Sequence, residues 1–188
     1  MAFETMKEYL SSLAIPVEDK RYVLTYCKKL EYLEGLRAKA SSDTGQAVNA
    51  GYGCANSQIC LVFKDIQTFN EVKAAVQTWM DEFKMNFWQA WTTFVDKTEN
   101  DYPAKMEYLA CEIHAVHPQL LYVFGDSIDE YHKVIHALAN LEIPVVEALP
   151  KYTFFIDIKE LTSSDKSIKQ EIWQKLRYLI NFKTLDSK

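Results

Sequence analysis

Residues Ser57 to Phe69 read SQICLVFKDIQTF, and this stretch decides the fold. The apolar run Ile59 to Phe63 has the length of a buried strand, stops at Lys64-Asp65, and gives way within a few residues to an amphipathic helical pattern. A buried strand that runs into polar residues ahead of a helix places those residues at the carboxyl edge of a sheet, where open α/β folds keep their ligand sites. Lys64 and Asp65 are therefore the first residues to examine for function.

Toward the carboxyl terminus, Phe69, Val72, Val76, Trp79, Met80 and Phe83 mark a helix, and Phe87 to Val95 (FWQAWTTFV) has the composition of a strand. Lys97 to Pro103 reads as a polar turn. Met106, Leu109, Ala110, Ile113 and Val116 define the next helix, which Pro118 closes before the buried run Leu120 to Phe124 and its ending Gly125-Asp126-Ser127. Ser127 or Asp126 is placed to cap the helix carrying Ile128, Tyr131, Ile135 and Leu138. Pro144-Val145-Val146 and Tyr152 to Ile158 compete as the fourth strand. The last helix carries Ile168, Ile172, Leu176, Leu179 and Ile180 behind the cap-like Ser163-Ser164-Asp165.

Toward the amino terminus, residues 40 to 57 (ASSDTGQAVNAGYGCANS) hold three of the five glycines and read as the longest loop. Before it, Tyr22, Tyr26, Leu30, Leu33 and Leu36 recur at helical spacing through residue 37. Phe3, Met6, Leu10 and Leu13 share a face of a helix over residues 3 to 14, which Pro16 ends. Strands alternating with helices predict a three-layer α/β/α fold with a central, mainly parallel four-stranded sheet and right-handed crossovers. The length fits one domain over 1–188, with a helical segment over 1–40 packed on an α/β core over 57–182.

Composition narrows the function classes. A net charge of −5 argues against whole-surface attraction to nucleic acid and leaves room for a local basic patch. Aromatic residues make up 13% of the chain, enough for ring-rich binding faces as well as a core. MAFETMKEYL carries acidic residues and no long apolar core, so neither a secretion signal nor a membrane span is expected there, and a cytoplasmic location is. Cys27, Cys54, Cys60 and Cys111 lack CxxC spacing and read as small core residues rather than a disulfide framework.

Three stretches carry a family resemblance. Tyr108-Leu109, Glu112-Ile113 and the run Pro118 to Gly125 form one. The lysine-rich Ser164 to Leu176, with Trp173 before a leucine, and the spacing of Leu33 to Arg37 form the others. Together these resemble the uracil-DNA glycosylase superfamily, particularly its iron–sulfur branch, over roughly residues 22 to 182. The resemblance implies that Asp65 stands where single-domain enzymes of the family keep a water-activating aspartate, and that Phe69 stands for the ring that stacks on uracil. It also implies losses. Phe63-Lys64-Asp65-Ile66-Gln67 has neither the glycine nor the proline of the first motif, and Thr153 or Ile158 takes the place of the later motif's histidine. Lys105 replaces one cluster cysteine and Cys27 alone remains of the amino-terminal pair, so no iron–sulfur cluster and no other cofactor is implied.

The residues themselves offer further candidates. Asp65 at a strand end suits water activation, and its plainer reading is a helix cap or a solvated turn residue. Phe69, Trp88 and Trp91 suit base stacking, although rings at helix and strand spacing are more often core. His132 and His136, one helical turn apart beside Glu130, and His114 with His117 have metal-binding spacing, but no third ligand motif accompanies either pair and no metal is expected. Lys28, Lys29, Lys159, Lys166, Lys169, Lys175 and Arg177 form either one basic strip or the solvated faces of separate helices. Gly51-Tyr52-Gly53 precedes a strand, whereas phosphate-cradling loops follow one.

The expectation drawn from these readings is a catalytically degenerate, glycosylase-like domain that serves as a binding or accessory subunit for DNA or a DNA-processing complex. Lys64, Phe69 and Thr153 are its expected ligand-binding residues and Asp65 its remnant catalytic one. An active divergent glycosylase using Asp65, and an α/β protein-interaction module without a nucleic-acid role, stand as alternatives.

Overall fold

A computed structural model describes residues 17–44, 51–82, 84, 87–95, 102–141 and 149–178. The chain begins there with helix α1 (Val17–Thr44), then the short strand β1 (Tyr52–Gly53), β2 (Ile59–Phe63) and α2 (Ile66–Glu82). A 3-10 turn, Phe87–Gln89, leads into β3 (Trp91–Phe94), and α3 (Tyr102–Val116), β4 (Leu120–Gly125) and α4 (Ile128–Ala139) follow. Strand β5 (Tyr152–Asp157), the one-turn α5 (Ile158–Leu161) and α6 (Lys166–Leu176) complete it.

The strands form a five-stranded mixed sheet in the order β1-β3-β2-β4-β5, in place of the expected four. Strands β3, β2, β4 and β5 run parallel to one another, and β1 adds the fifth as an antiparallel edge on β3. The extra strand arises from the glycine turn read as loop. Gly53 takes a φ of +113°, and a side chain there would run into the Ala90 carbonyl, so the chain can lie this close to β3 only with glycine.

Alternation along the buried strands builds two cores. Ile59, Leu61 and Phe63 of β2, with Leu120, Tyr122 and Phe124 of β4, pack on one face against α2, α5 and α6. Cys60 and Val62, with Leu121 and Val123, pack on the other against α1, α3 and α4. This is the pattern of a sheet covered on both faces by helices. Phe63 stacks on Phe124 at 4.6 Å and 8°, and Phe69 meets Phe63 edge-on at 5.0 Å, which fixes α2 against the sheet.

Several boundaries moved from where the sequence put them. FWQAWTTFV splits, its first three residues turning as a 3-10 helix so that Ala90 can accept from Cys54 N–H. Helix α1 continues to Thr44 instead of stopping at 37, which shortens the loop. Tyr152–Asp157 takes the fourth parallel position, and its rival, Pro144 to Val146, lies outside the described residues. The helix expected over 3–14, residues 97–101 of the polar turn, Phe83, Leu179 and Ile180 also lie outside them. The cysteines are free, and of the four only Cys60 is fully buried; Cys27, Cys54 and Cys111 are half-buried.

Candidate functional site

The chain crosses from β2 to β3 on one side of β2 and then to β4 on the other, so the strand order reverses between β2 and β4. The crevice beyond the carboxyl ends of these two strands is where such folds bind ligands. Phe63 and Phe124 lie side by side in register there, and Lys64 N–H donates to the Phe124 carbonyl at 3.2 Å. Lys64, Asp65, Gly125, Asp126 and Ser127 therefore meet at this point, with Asp157 at the end of neighbouring β5.

Their polar groups are committed to the fold. Asp65 caps α2, its Oδ1 accepting from Thr68 N–H at 2.7 Å and its carbonyl from Phe69 N–H at 3.1 Å. Ser127 caps α4 by accepting from Asp129 N–H at 3.2 Å, and Asp157 caps α5 by accepting from Lys159 N–H at 2.8 Å. The Lys64 ammonium lies 2.5 Å from Asp126 Oδ2, a hydrogen bond that holds its pKa above the usual lysine value. Glu130 turns inward from the first turn of α4, 5% exposed, and its Oε2 accepts from Asp126 N–H at 3.1 Å. The same carboxylate fills the space where a Gly125 side chain would stand.

Asp126, Glu130 and Asp65 all act on the Lys64 ammonium, so carboxylates outnumber it at this point, and Asp157 stands at the end of the neighbouring strand with the exposed Lys159 two residues on. Two large apolar residues lie beside this edge. Ile66 and Ile128, the first residues of the helices that follow β2 and β4, are 51% and 46% exposed.

The remaining expected site residues fall elsewhere. Phe69 is 4% exposed and enclosed by Tyr52, Phe63, Phe87 and Phe94 within the aromatic core. Thr153 sits in the first half of β5, away from the carboxyl edge, with its hydroxyl 2.6 Å from that of Tyr131. Ile158 opens α5 as a buried core residue. Trp91 is a core residue of β3, and Trp88 falls in the 3-10 turn.

Among the described residues no three His, Cys, Asp or Glu side chains converge as a metal-binding group. His136 faces Asn140, and His132 lies against the Tyr131 ring. The basic residues form no single strip. Lys29 is held on the α1 face, donating to the Ala55 and Val116 carbonyls, and burial lowers its pKa; Lys166 and Lys169 belong to α6 on the opposite layer.

Two features went unread in the sequence. Glu112, 1% exposed on α3, accepts from Gly51 N–H and Trp91 Nε1–H at 3.0 Å each through Oε1, and from the Thr93 hydroxyl at 2.7 Å through Oε2. Burial pushes its pKa up to about 7 against those three hydrogen bonds. A signal was present, since Glu112 interrupts the apolar stripe Leu109, Ile113, Val116. The second is an open groove of about 680 Å³ between α2 and α6, walled by Trp79 and Trp173. Its trace in the sequence is Trp173, which stands off the Ile168, Ile172, Leu176 stripe of its helix.

The sequence matches no family model and no curated protein. Among the described residues no helix is long and apolar enough to cross a membrane.

Proposed function

We propose that the chain is a catalytically degenerate, glycosylase-like α/β domain that acts as a binding or accessory subunit. One observation carries the reading: at the crevice where this topology binds ligands, the polar side chains serve as helix caps or bond one another. A hydrolase needs a carboxylate oriented on water together with a group that stabilises the departing anion. Asp65 Oδ1 is engaged by the α2 backbone, and the nearest cation, Lys64, is engaged by Asp126. Thr153 and Ile158, the residues aligned with the family's anion-stabilising histidine, are respectively hydrogen-bonded to Tyr131 and buried.

The scaffold resemblance favours an assembly that handles DNA. The acidic edge favours contact with that assembly through protein, because Asp65, Asp126, Asp157 and Glu130 repel phosphodiesters. Ile66 and Ile128 supply apolar surface of the kind partners cover. The test is incubation of the recombinant protein with a deoxyuridine oligonucleotide. No uracil release is expected. Release that disappears in Asp65→Asn would establish an active glycosylase and overturn the reading.

A further inference from the structure

The groove between α2 and α6 has the construction of a peptide-docking site. Helices α2 and α6 stand apart here because the single turn α5 lies between them, and Leu161 of α5 with Ala75 of α2 forms an apolar floor. Trp79 rises half-buried from α2 and Trp173, 41% exposed, from α6, so the walls are two indole rings. Aromatic walls over an aliphatic floor gain most from burying apolar side chains. Lys166 and Lys169, both exposed, stand one turn apart along the α6 rim. Among the described residues neither forms an ion pair. Glu82 lies on the opposing rim at the end of α2.

We infer that this groove binds an amphipathic helical segment of a protein partner whose apolar face is flanked by acidic residues. The inference rests on the reading of the chain as a binding domain and names the chemistry of its partner. Apolar side chains at helical spacing fill the space between Trp79 and Trp173 over Leu161, the helix-in-groove mode of recognition. Carboxylates on one flank pair with Lys166 and Lys169, while Glu82 rejects acid on the other flank and so sets the peptide's direction. A single-stranded nucleic acid would also use indole rings and lysines, but its phosphates would meet Glu82 and a chain of net charge −5.

The probe is a displayed library of random peptides long enough for about four helical turns, selected on the full chain and measured against oligo(dT). Selected peptides are expected to carry Leu, Phe or Trp at i, i+3, i+4 and i+7 with Asp or Glu on one flank. The double variant Lys166→Glu/Lys169→Glu changes only exposed side chains and is expected to keep the native circular dichroism; it should weaken binding of these peptides by about tenfold or more. Replacing their acidic residues with lysine should restore binding to that variant. Absence of any selected peptide, selection without acidic enrichment, or equal affinity for the variant overturns the inference. Oligo(dT) binding that depends on Lys166 and Lys169 overturns it in favour of a nucleic-acid groove. Uracil release from a deoxyuridine oligonucleotide would instead refute the non-catalytic reading while leaving the peptide result standing.

Discussion

Lys64 and Asp126 follow neighbouring parallel strands and join ammonium to carboxylate, 2.5 Å apart, across the point where the strand order reverses. The pair spans the crevice but remains in contact with water, its side chains 24% and 42% exposed. Solvent screening therefore limits its energy to about 0.2–1 kcal/mol. A double-mutant cycle with Lys64→Met and Asp126→Asn, followed by urea denaturation, should give a coupling within that range that shrinks with added salt. Because Asp126 raises the lysine pKa, the coupling should hold at neutral pH and be lost as pH rises through the lysine range. A coupling several times larger would mean that the pair is better shielded than its exposure indicates.

Asp65 is assigned to the α2 cap, and its variants separate capping from chemistry. Asp65→Ala removes the acceptor for Thr68 N–H and should cost about 1 kcal/mol. Asp65→Asn keeps an acceptor oxygen and should remain within a few tenths of a kcal/mol of the native chain. Chemical denaturation measures both. Equal destabilisation by the two substitutions would argue against the cap.

Gly125 is crowded by a neighbouring side chain rather than demanded by its backbone angles, since it is not among the positive-φ glycines. The Glu130 carboxylate occupies the place of a methyl group at residue 125. Gly125→Ala should therefore push that carboxylate off the Asp126 N–H and cost about 1 kcal/mol or more. In a Glu130→Ala background most of that cost should vanish, a non-additivity of about 1 kcal/mol or more. Strict additivity in thermal or urea unfolding would show that the clash lies elsewhere.

Glu112 makes the fold sensitive to pH. Its carboxyl is raised from 4.5 to about 7 by burial, so between these values the unfolded chain gives up its proton while the folded chain retains it. The group therefore costs no stability below the lower value, and its destabilising effect grows as pH rises and is complete above about 7, reaching roughly 3 kcal/mol. Glu112→Gln keeps an oxygen for Gly51 N–H and Trp91 Nε1–H and offers an N–H to the Thr93 hydroxyl. It should flatten the pH dependence between 5 and 8 as measured by urea midpoints, with its largest relative gain at pH 8. Glu112→Ala leaves two buried donors, Trp91 Nε1–H and the Thr93 hydroxyl, and the half-buried Gly51 N–H without their acceptor and should cost about 3 kcal/mol or more at any pH.

The sequence by itself determined the parallel core. Ile59 to Phe63 and Leu120 to Phe124 are continuous apolar runs of strand length, and burial on both faces of a sheet leaves a run of that kind few other places to go. The stripe Phe69, Val72, Val76, Met80 determined α2 in the same local way, because helical periodicity is written in nearest neighbours along the chain. Asp65 and Ser127 were also readable as caps, a role settled within three residues.

What only the tertiary structure decided depends on contacts between distant segments. Strand β1 exists because Gly53 fits beneath Ala90, 37 positions later in numbering. Phe69 could have been a stacking ring or a core ring on its spacing alone, and the closure of Tyr52, Phe87 and Phe94 around it makes it core. Glu112 gains its environment from Gly51, Trp91 and Thr93, and the α2/α6 groove is the gap left by a one-turn helix between two longer ones. The edge residues in SQICLVFKDIQTF follow the same division. Their position was written locally, whereas Lys64's commitment to Asp126 required a strand from 60 residues further along the chain to arrive beside it.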